Sequence, residues 1–376
     1  MKVSLEGSTN TMIELADMLK FSQDCARQCY SAKQFCDIKN EDSKPKLLET
    51  LLNKGHHSVF GHVHLTFSLA GIPKTLAMIL NNEKAFETSE KSARYTKMSD
   101  VKDEQQELYD KWIGKLEPHI NTAYPNIKFK DEREKTVERL AMENARYMIS
   151  VFTPTNMMHT VSLQQLNFLL HDFDNFIEKN IKGNDIFKKR VAEGMMDFNK
   201  QMKNYRVKEL KNMTGRQLSF FGNPMEEFFG DVYATNYDIS FAGFAQAQRH
   251  RTINYKVTEG YELTAPNGFF VPKIVSDANM QKEWLNDLGK VAETDFPQAQ
   301  IISITESSTL DNFVSKMHSR VCGHAQYEIM NNMLEVTKEY AIHRPQINDF
   351  FDPGCSIRRA GSCDCYWGNR ALEREV

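Results

Sequence analysis

Residues 62–69, His-Val-His-Leu-Thr-Phe-Ser-Leu, carry apolar side chains at every second position from Val63 to Leu69, which predicts a half-buried strand. Leu47, Leu48, Leu51 and Leu52 fall at helical spacing instead and predict a helix over 44–54, with another near 11–30 after an opening strand at 1–6. Val137, Leu140, Ala141 and Ala145 form the apolar stripe of a helix over 132–149. Residues 147–171 contain no Asp, Glu, Lys or Arg and read as a buried helix with its approach, the helix itself running near 159–180. A charged helix at 186–210 follows the break Lys182-Gly183-Asn184-Asp185 and is expected to bridge two halves.

The second half repeats the theme more loosely. Ser240-Phe241-Ala242 leads into Gln246–Arg251, an extended stretch Tyr261–Val271 turns at Pro266-Asn267-Gly268, and helices are expected near 280–292, 308–319 and 322–341. A period of about 150–167 residues is far too long for a solenoid and points to two copies of one α+β domain.

Charge and composition narrow the function. The chain has 376 residues and a formal charge of -3, with 41% hydrophobic residues, so it can bury a sizeable core. A balance this close to neutral supplies no long-range field for a nucleic-acid polymer and directs nucleotide chemistry to a small ligand in a local pocket. Pro154, Asn156, His159, Gln164, Gln165 and His171 make the charge-free run too polar to span a membrane. The N-terminus lacks an apolar leader segment, so a cytoplasmic location is expected. Seven cysteines are an odd number and read as reduced thiols; Cys355, Cys363 and Cys365 cluster late in the chain without a CxxC pair or a histidine at ligand spacing, and no metal site is expected.

Neither Gly-rich phosphate loop is present, nor G-x-S-x-G, nor H-E-x-x-H, which leaves the Arg, His, Ser and Glu clusters to carry chemistry. Gly55-His56-His57-Ser58-Val59-Phe60-Gly61-His62 packs three histidines ahead of the predicted strand. Glu90, Ser92 and Arg94 alternate, and in an extended segment would share one face able to grip a nucleotide. Arg249-His250-Arg251, preceded by Gln246 and Gln248, places two guanidiniums and an imidazole after an apolar run and suits an anionic ligand.

Taken together, these segments resemble the flavin-dependent thymidylate synthases, the ThyX family. Gly55 to Tyr95 is similar to that family's run of Gly-His-x-Ser-x-Phe-x-His, a Thr-Phe strand, Arg-His-Arg and then Ser-x-Arg-Tyr. The likeness continues at Glu143-Asn144-Ala145-Arg146-Tyr147, at Gln246–Arg251, and at Arg320 with Ala325-Gln326-Tyr327-Glu328-Ile329. It covers most of residues 1–350, yet neither half holds every motif. Asn82-Glu83-Lys84 stands where the first half should have Arg-His-Arg, and Phe173 where it should have the later arginine. In the second half Val257, Glu259 and Tyr261 stand where the Glu, Ser and Arg of the other motif belong. Gly61 replaces a family Glu, and Thr160-Val161-Ser162-Leu163-Gln164 departs from the Thr-Val-Asn-x-Arg element.

Because the losses are complementary, the resemblance implies a tandem pseudo-dimer, with copies at 1–205 and 206–350 and a tail at 351–376, that keeps one composite site. It implies conversion of dUMP to dTMP with FAD, methylenetetrahydrofolate and NADPH, or C5 chemistry on UMP or dCMP, or a nucleotide-binding subunit without turnover. Arg320 would then be catalytic. Gln246, Arg249, Glu90, Ser92, Arg94 and Arg146 would hold the nucleotide, and His56, Ser58, Arg249, His250 and Arg251 the flavin. Two chains would reproduce a four-domain assembly, so a homodimer is expected.

Overall fold

A computed structural model describes residues 1–53, 56–94, 96, 100–124, 130–211, 218–221, 232–250, 252–323, 325–350 and 372–376. The strands are β1 (Lys2–Ser8), β2 (His64–Pro73), β3 (Glu87–Glu90), β4 (Pro154–Ser162), β5 (Val232–Ser240), β6 (Asn254–Glu259) and β7 (Ile301–Thr309). The helices are α1 (Leu15–Arg27), α2 (Phe35–Ile38), α3 (Pro45–Asn53), α4 (Lys74–Leu80), α5 (Asp103–Ala123), α6 (Lys130–Ala145), α7 (Leu163–Asn180), α8 (Ile186–Gln201), α9 (Phe241–Ala247), α10 (Ala278–Ala292), α11 (Leu310–Arg320) and α12 (Tyr327–His343). Helix and antiparallel sheet together make the class α+β. The contacts form two compact units, Met1–Lys91 with Pro154–Leu218, and Ser92–Thr153 with Ser219–Val376. This partition runs differently from copies at 1–205 and 206–350, because residues 92–153 pack with the C-terminal portion of the chain.

In the first unit the sheet order is β1-β2-β4-β3, all antiparallel. The alternation read over 62–69 buries Leu65, Phe67 and Leu69 from β2. Near the end of β2, the register shifts between Ala70 and Ile72, and Gly71 takes a φ of +71°, a backbone that side chains with a Cβ rarely adopt. The charge-free run does not begin as a helix. Residues 154–162 form β4, between β2 and β3, with Thr155, Met157, His159 and Val161 buried on one side. The period there is two, but Thr and His on the inner face make it look unlike an apolar strand. The helix follows as α7, whose start is capped by Ser162 Oγ accepting from Gln165 N at 3.1 Å. Phe173 of α7 meets Phe198 of α8 with ring centroids 5.6 Å apart. The charged helix expected over 186–210 stops at Gln201.

The second unit has a sheet of order β5-β7-β6. Its register repeats that of β2, β4 and β3 of the first unit, while β1 has no counterpart among the described strands. His64 pairs with Ser162 and Glu87 with Thr160 in one sheet; Val232 pairs with Thr309 and Asn254 with Ser307 in the other. A helix follows directly on the last residue of β4 and of β7. Helix α5, which the pattern analysis did not foresee, buries Tyr109, Trp112, Leu116 and Ile120 along one stripe against Val137, Leu140 and Ala141 of α6 and Trp284 and Leu288 of α10. Trp112 and Trp284 meet edge to face at 4.6 Å, and each such buried ring contributes roughly 1.5–3 kcal/mol by area alone. The stretch Tyr261–Val271 is not extended but folds through turns, closed by Gly268 N donating to Ala265 O at 2.7 Å. Helix α12 begins at Tyr327 rather than 322, and ahead of it Ala325 N donates to Cys322 O at 2.9 Å.

Candidate functional site

Helix α9 is the centre of the arrangement in the second unit. Its N-cap, Ser240, accepts from Gly243 N at 3.0 Å and also holds the buried Glu328 of α12, donating from N to Oε1 (2.7 Å) and from Oγ to Oε2 (2.8 Å). Tyr147 OH adds a third donor to Glu328 at 2.6 Å. Burial pushes the Glu328 carboxyl above its ordinary range, and the Tyr147 and Ser240 bonds pull against that rise. This close approach needs a glycine: a Cβ on Gly243 would lie 2.8 Å from the Glu328 carboxyl carbon and 2.7 Å from Ile239.

At the other end of α9 the chain turns. Gln248 N donates to Phe244 O, Arg249 N to Gln246 O and His250 N to Ala247 O, at 3.0, 3.3 and 3.1 Å. Arg249 and His250 therefore leave from the helix C-terminus. Arg320, the last residue of α11, reaches the same place, its Nη2 donating to Gln246 O at 3.1 Å. The backbone N of Gln326 donates to Gln246 Oε1 at 3.4 Å, so Gln246 is held at both its carbonyl and its side chain.

From earlier in the chain come Ser92, Arg94 and Arg146, which belong to this same unit. Ser92 Oγ accepts from Arg94 N at 3.3 Å in a turn, and the Arg94 guanidinium pairs with Glu143 at the end of α6. Three residues on, Arg146 is buried and donates from Nη2 to Ala242 O at 3.2 Å and to Gln326 Oε1. The side-chain amide of Gln326 in turn donates to Tyr147 OH.

Of these groups, Arg94 and Arg249 bear electrostatically on Arg320. Burial lowers the Arg320 pKa to about 10, the nearby Tyr255 opposes the drop, and the charges of Arg94 and Arg249 deepen it. Burial lowers His250 to about 3, helped by Arg320 and Lys316, so its imidazole is neutral at pH 7. Lys316, one turn before Arg320 on α11, is itself driven down by burial and held up by Glu306 of β7, with which it forms a buried ion pair. Tyr233 OH (2.9 Å) and Tyr237 OH (2.5 Å) also donate to Glu306. Three buried nitrogens, Arg146 Nε, Arg320 Nε and His250 Nε2, have no hydrogen-bond partner among the described residues. Clustered cations with unsatisfied buried nitrogens suit an anionic ligand.

Other expected site residues belong to the first unit. Glu90 ends β3 in the first unit, where its carboxylate pairs with Lys74 and accepts from Asn81 Nδ2 at 3.3 Å. The strand stops there, so Glu90, Ser92 and Arg94 do not share one extended face. His56 and Ser58 are exposed at a short 3-10 turn in the first unit. Ser162 is engaged as a helix cap, and a Cβ on Gly61 would come within 3.4 Å of Gln164 Oε1, which places two of the departures from the family pattern side by side. Arg251, Tyr95 and the tail cysteines Cys355, Cys363 and Cys365 lie outside the described residues. Lys316, Glu306, Ser240, Gln326 and Glu328 were not assigned roles from sequence; the last two sit inside the quoted Ala-Gln-Tyr-Glu-Ile motif, and that was their signal. Among the described residues no group of three or more His, Cys, Asp or Glu side chains is placed to hold a metal ion, and no helix is long and apolar enough to cross a membrane.

Residues 12–173 match the family model described as thymidylate synthase complementing protein. The flavin-dependent thymidylate synthase of Clostridium tetani (strain Massachusetts / E88) is 25% identical over 172 residues, which cover 39% of this chain and 66% of that relative. The chain thus spans just under two thirds of the length of the curated relative it matches. Among solved structures, ThyX from Helicobacter pylori with FAD and dUMP is 17% identical at a TM-score of 0.32, covering 56% of this chain and 95% of that one. The UMP/dUMP methylase PolB from Streptomyces cacaoi, bound with 5-Br dUMP, is 17% identical at a TM-score of 0.28, covering 45% and 76%.

Proposed function

We propose, from the premise that this chain is a relative of the ThyX family, that it is a tandem pseudo-dimer with one composite site and that it methylates dUMP at C5 to give dTMP. Methylenetetrahydrofolate is the one-carbon donor, NADPH the reductant and FAD the bound cofactor. The observation that carries this reading is that Ser92, Arg94 and Arg146 from the first sequence copy belong to one compact unit with Gln246, Arg249, His250 and Arg320 from the second, and that Arg94 and Arg249 bear electrostatically on Arg320. The repeated register of the two sheets supports the duplication.

Uracil C5 must become electron-rich before it meets a one-carbon electrophile, and negative charge then builds on the pyrimidine. Arg320, buried and with an unpartnered Nε, stabilises that charge where water is excluded, an effect worth about 3–4 kcal/mol for one well-aimed donor. Arg94 and Arg249 bind the phosphate as forks, and Gln246, clamped at both ends, orients the ring. Arg146 holds Gln326 in place from beneath. The residues present fit a flavin in one respect: neutral His250, with a free Nε2 beside cations, offers a hydrogen bond without adding charge. When bound, the flavin supplies the hydride.

The test is tritium release from C5-labelled dUMP in the presence of methylenetetrahydrofolate, NADPH and FAD, with Arg249→Ala as control. Folate-dependent release that vanishes in the variant supports the composite site; release that survives Arg249→Ala overturns it. Binding of dUMP without release would favour the nucleotide-binding subunit, a reading to which the capping role of Ser162 lends weight. Release from labelled UMP or dCMP instead would move the substrate within the same chemistry. Two chains forming a homodimer, and a cytoplasmic location, complete the proposal.

A further inference from the structure

Arg374 lies far along the chain from every residue assigned above, yet it is buried in the second unit. Its guanidinium sits between two rings, 5.6 Å from the centroid of Tyr124 and 5.5 Å from that of Tyr327. Nη1 donates to Gly323 O (3.2 Å) and Ala325 O (2.6 Å), and Nη2 to Tyr124 OH (2.8 Å). A buried guanidinium is costly unless its fork is satisfied, and here the two turn carbonyls and Tyr124 OH are joined by Val376 O, which accepts from Nε at 2.7 Å.

That turn connects Arg320 to Gln326. Both residues grip Gln246, one at its carbonyl and the other at its side-chain oxygen, and Gln326 also accepts from Arg146. We infer that Arg374 is a positioning residue: by pinning the Gly323 and Ala325 carbonyls against the Tyr124–Tyr327 cage, it fixes the spacing of Arg320 and Gln326 around Gln246. Lysine keeps the charge but cannot bridge two carbonyls and a hydroxyl in one plane. The nucleotide consequence rests on the function proposed above; the positional one does not.

The experiment has two arms on the full chain. Hydrogen exchange of peptides covering 321–327 is compared in the unaltered protein, Arg374→Ala, Arg374→Lys and Leu372→Ser, and dUMP affinity is measured on the same samples. Arg374→Ala is expected to speed exchange of those amides at least tenfold and to weaken dUMP about tenfold. Arg374→Lys should recover part of the loss, and Leu372→Ser, an exposed neighbour, none of the effect. Guanidinium ion at low millimolar concentration should restore Arg374→Ala by refilling the cage. Unchanged exchange at 321–327 in Arg374→Ala overturns the inference. So does a uniform rise across the whole unit without guanidinium rescue, which would mark a merely structural residue. If the unaltered protein binds no dUMP, the nucleotide reading fails by itself and the exchange arm still decides the role of Arg374.

Discussion

His159 faces Phe67 and Thr88 across the sheet of the first unit, just as Glu306 faces Thr235 and Tyr255 across the sheet of the second. The two positions are equivalent in register and opposite in use. His159 is buried against Phe86 with neither ring nitrogen hydrogen-bonded among the described residues, and burial lowers its pKa to about 4. Glu306 takes two tyrosine hydroxyls and a lysine. Where the second unit has Arg320, the first has Phe173, closed into the core against Phe198. One unit spends its equivalent positions on packing and the other on charge. A buried ion pair is seldom the most stable filling for a core, so the second unit holds an arrangement that packing alone would not select.

The sharpest way to break this comparison is to uncharge one partner. Glu306→Gln should leave Lys316 buried and unpaired and cost about 3–5 kcal/mol in denaturant unfolding, whereas the double change Glu306→Leu with Lys316→Met should recover most of it. If the single change is silent, the pair is not desolvated as described. Next in size, Arg320→Ala should cut C5 tritium release by about 10²–10³-fold while moving the thermal midpoint little. A midpoint collapse with normal residual turnover would reverse that assignment.

A third test uses acid. Because the native His159 pKa is depressed to about 4 from the ordinary 6.5, the unfolded chain binds the extra proton first. Stability is complete above about 6.5 and falls as pH drops towards 4, by about 3 kcal/mol in total. His250, lowered to about 3, adds to the slope with the same sign. His159→Leu should flatten the pH dependence of unfolding; an unchanged slope would show that His159 contributes none of it. Smallest of all, Asn82→Ala, at the first-unit counterpart of Arg249, should change turnover less than about twofold, since no phosphate contact is assigned there.

The pattern of hydrophobic positions located β1, β2, α3 and α10 because each repeats one period without interruption. It lost β4, where Thr155 and His159 occupy inward positions, and α5, whose four inward residues are diluted by charged neighbours. It passed over β5 and β7 because Asn236, Asp238, Thr305 and Ser307 blur the alternation. Arg94, Arg146, Gln246, Arg249 and Arg320 were legible as motif residues. Their supports were not, since the partner of Arg146 is Gln326 and that of Lys316 is Glu306, joined only when distant elements pack. The extended face expected to be shared by Glu90, Ser92 and Arg94 is absent because two-residue spacing implies a shared face only while a strand lasts, and β3 ends at Glu90.

The interleaving of the two units also sets an order of events during synthesis. The stripe of Tyr109, Trp112, Leu116 and Ile120 leaves the ribosome well before Trp284 exists to cover it, and the first unit cannot close until β4 has followed. Helix α6 covers part of that face as soon as it emerges, but at translation rates of roughly 5–20 residues per second the part that Trp284 covers waits on the order of ten to thirty seconds. The first unit has all of its residues when only 92–153 of the second exist, so the two units reach completion at different times on the ribosome.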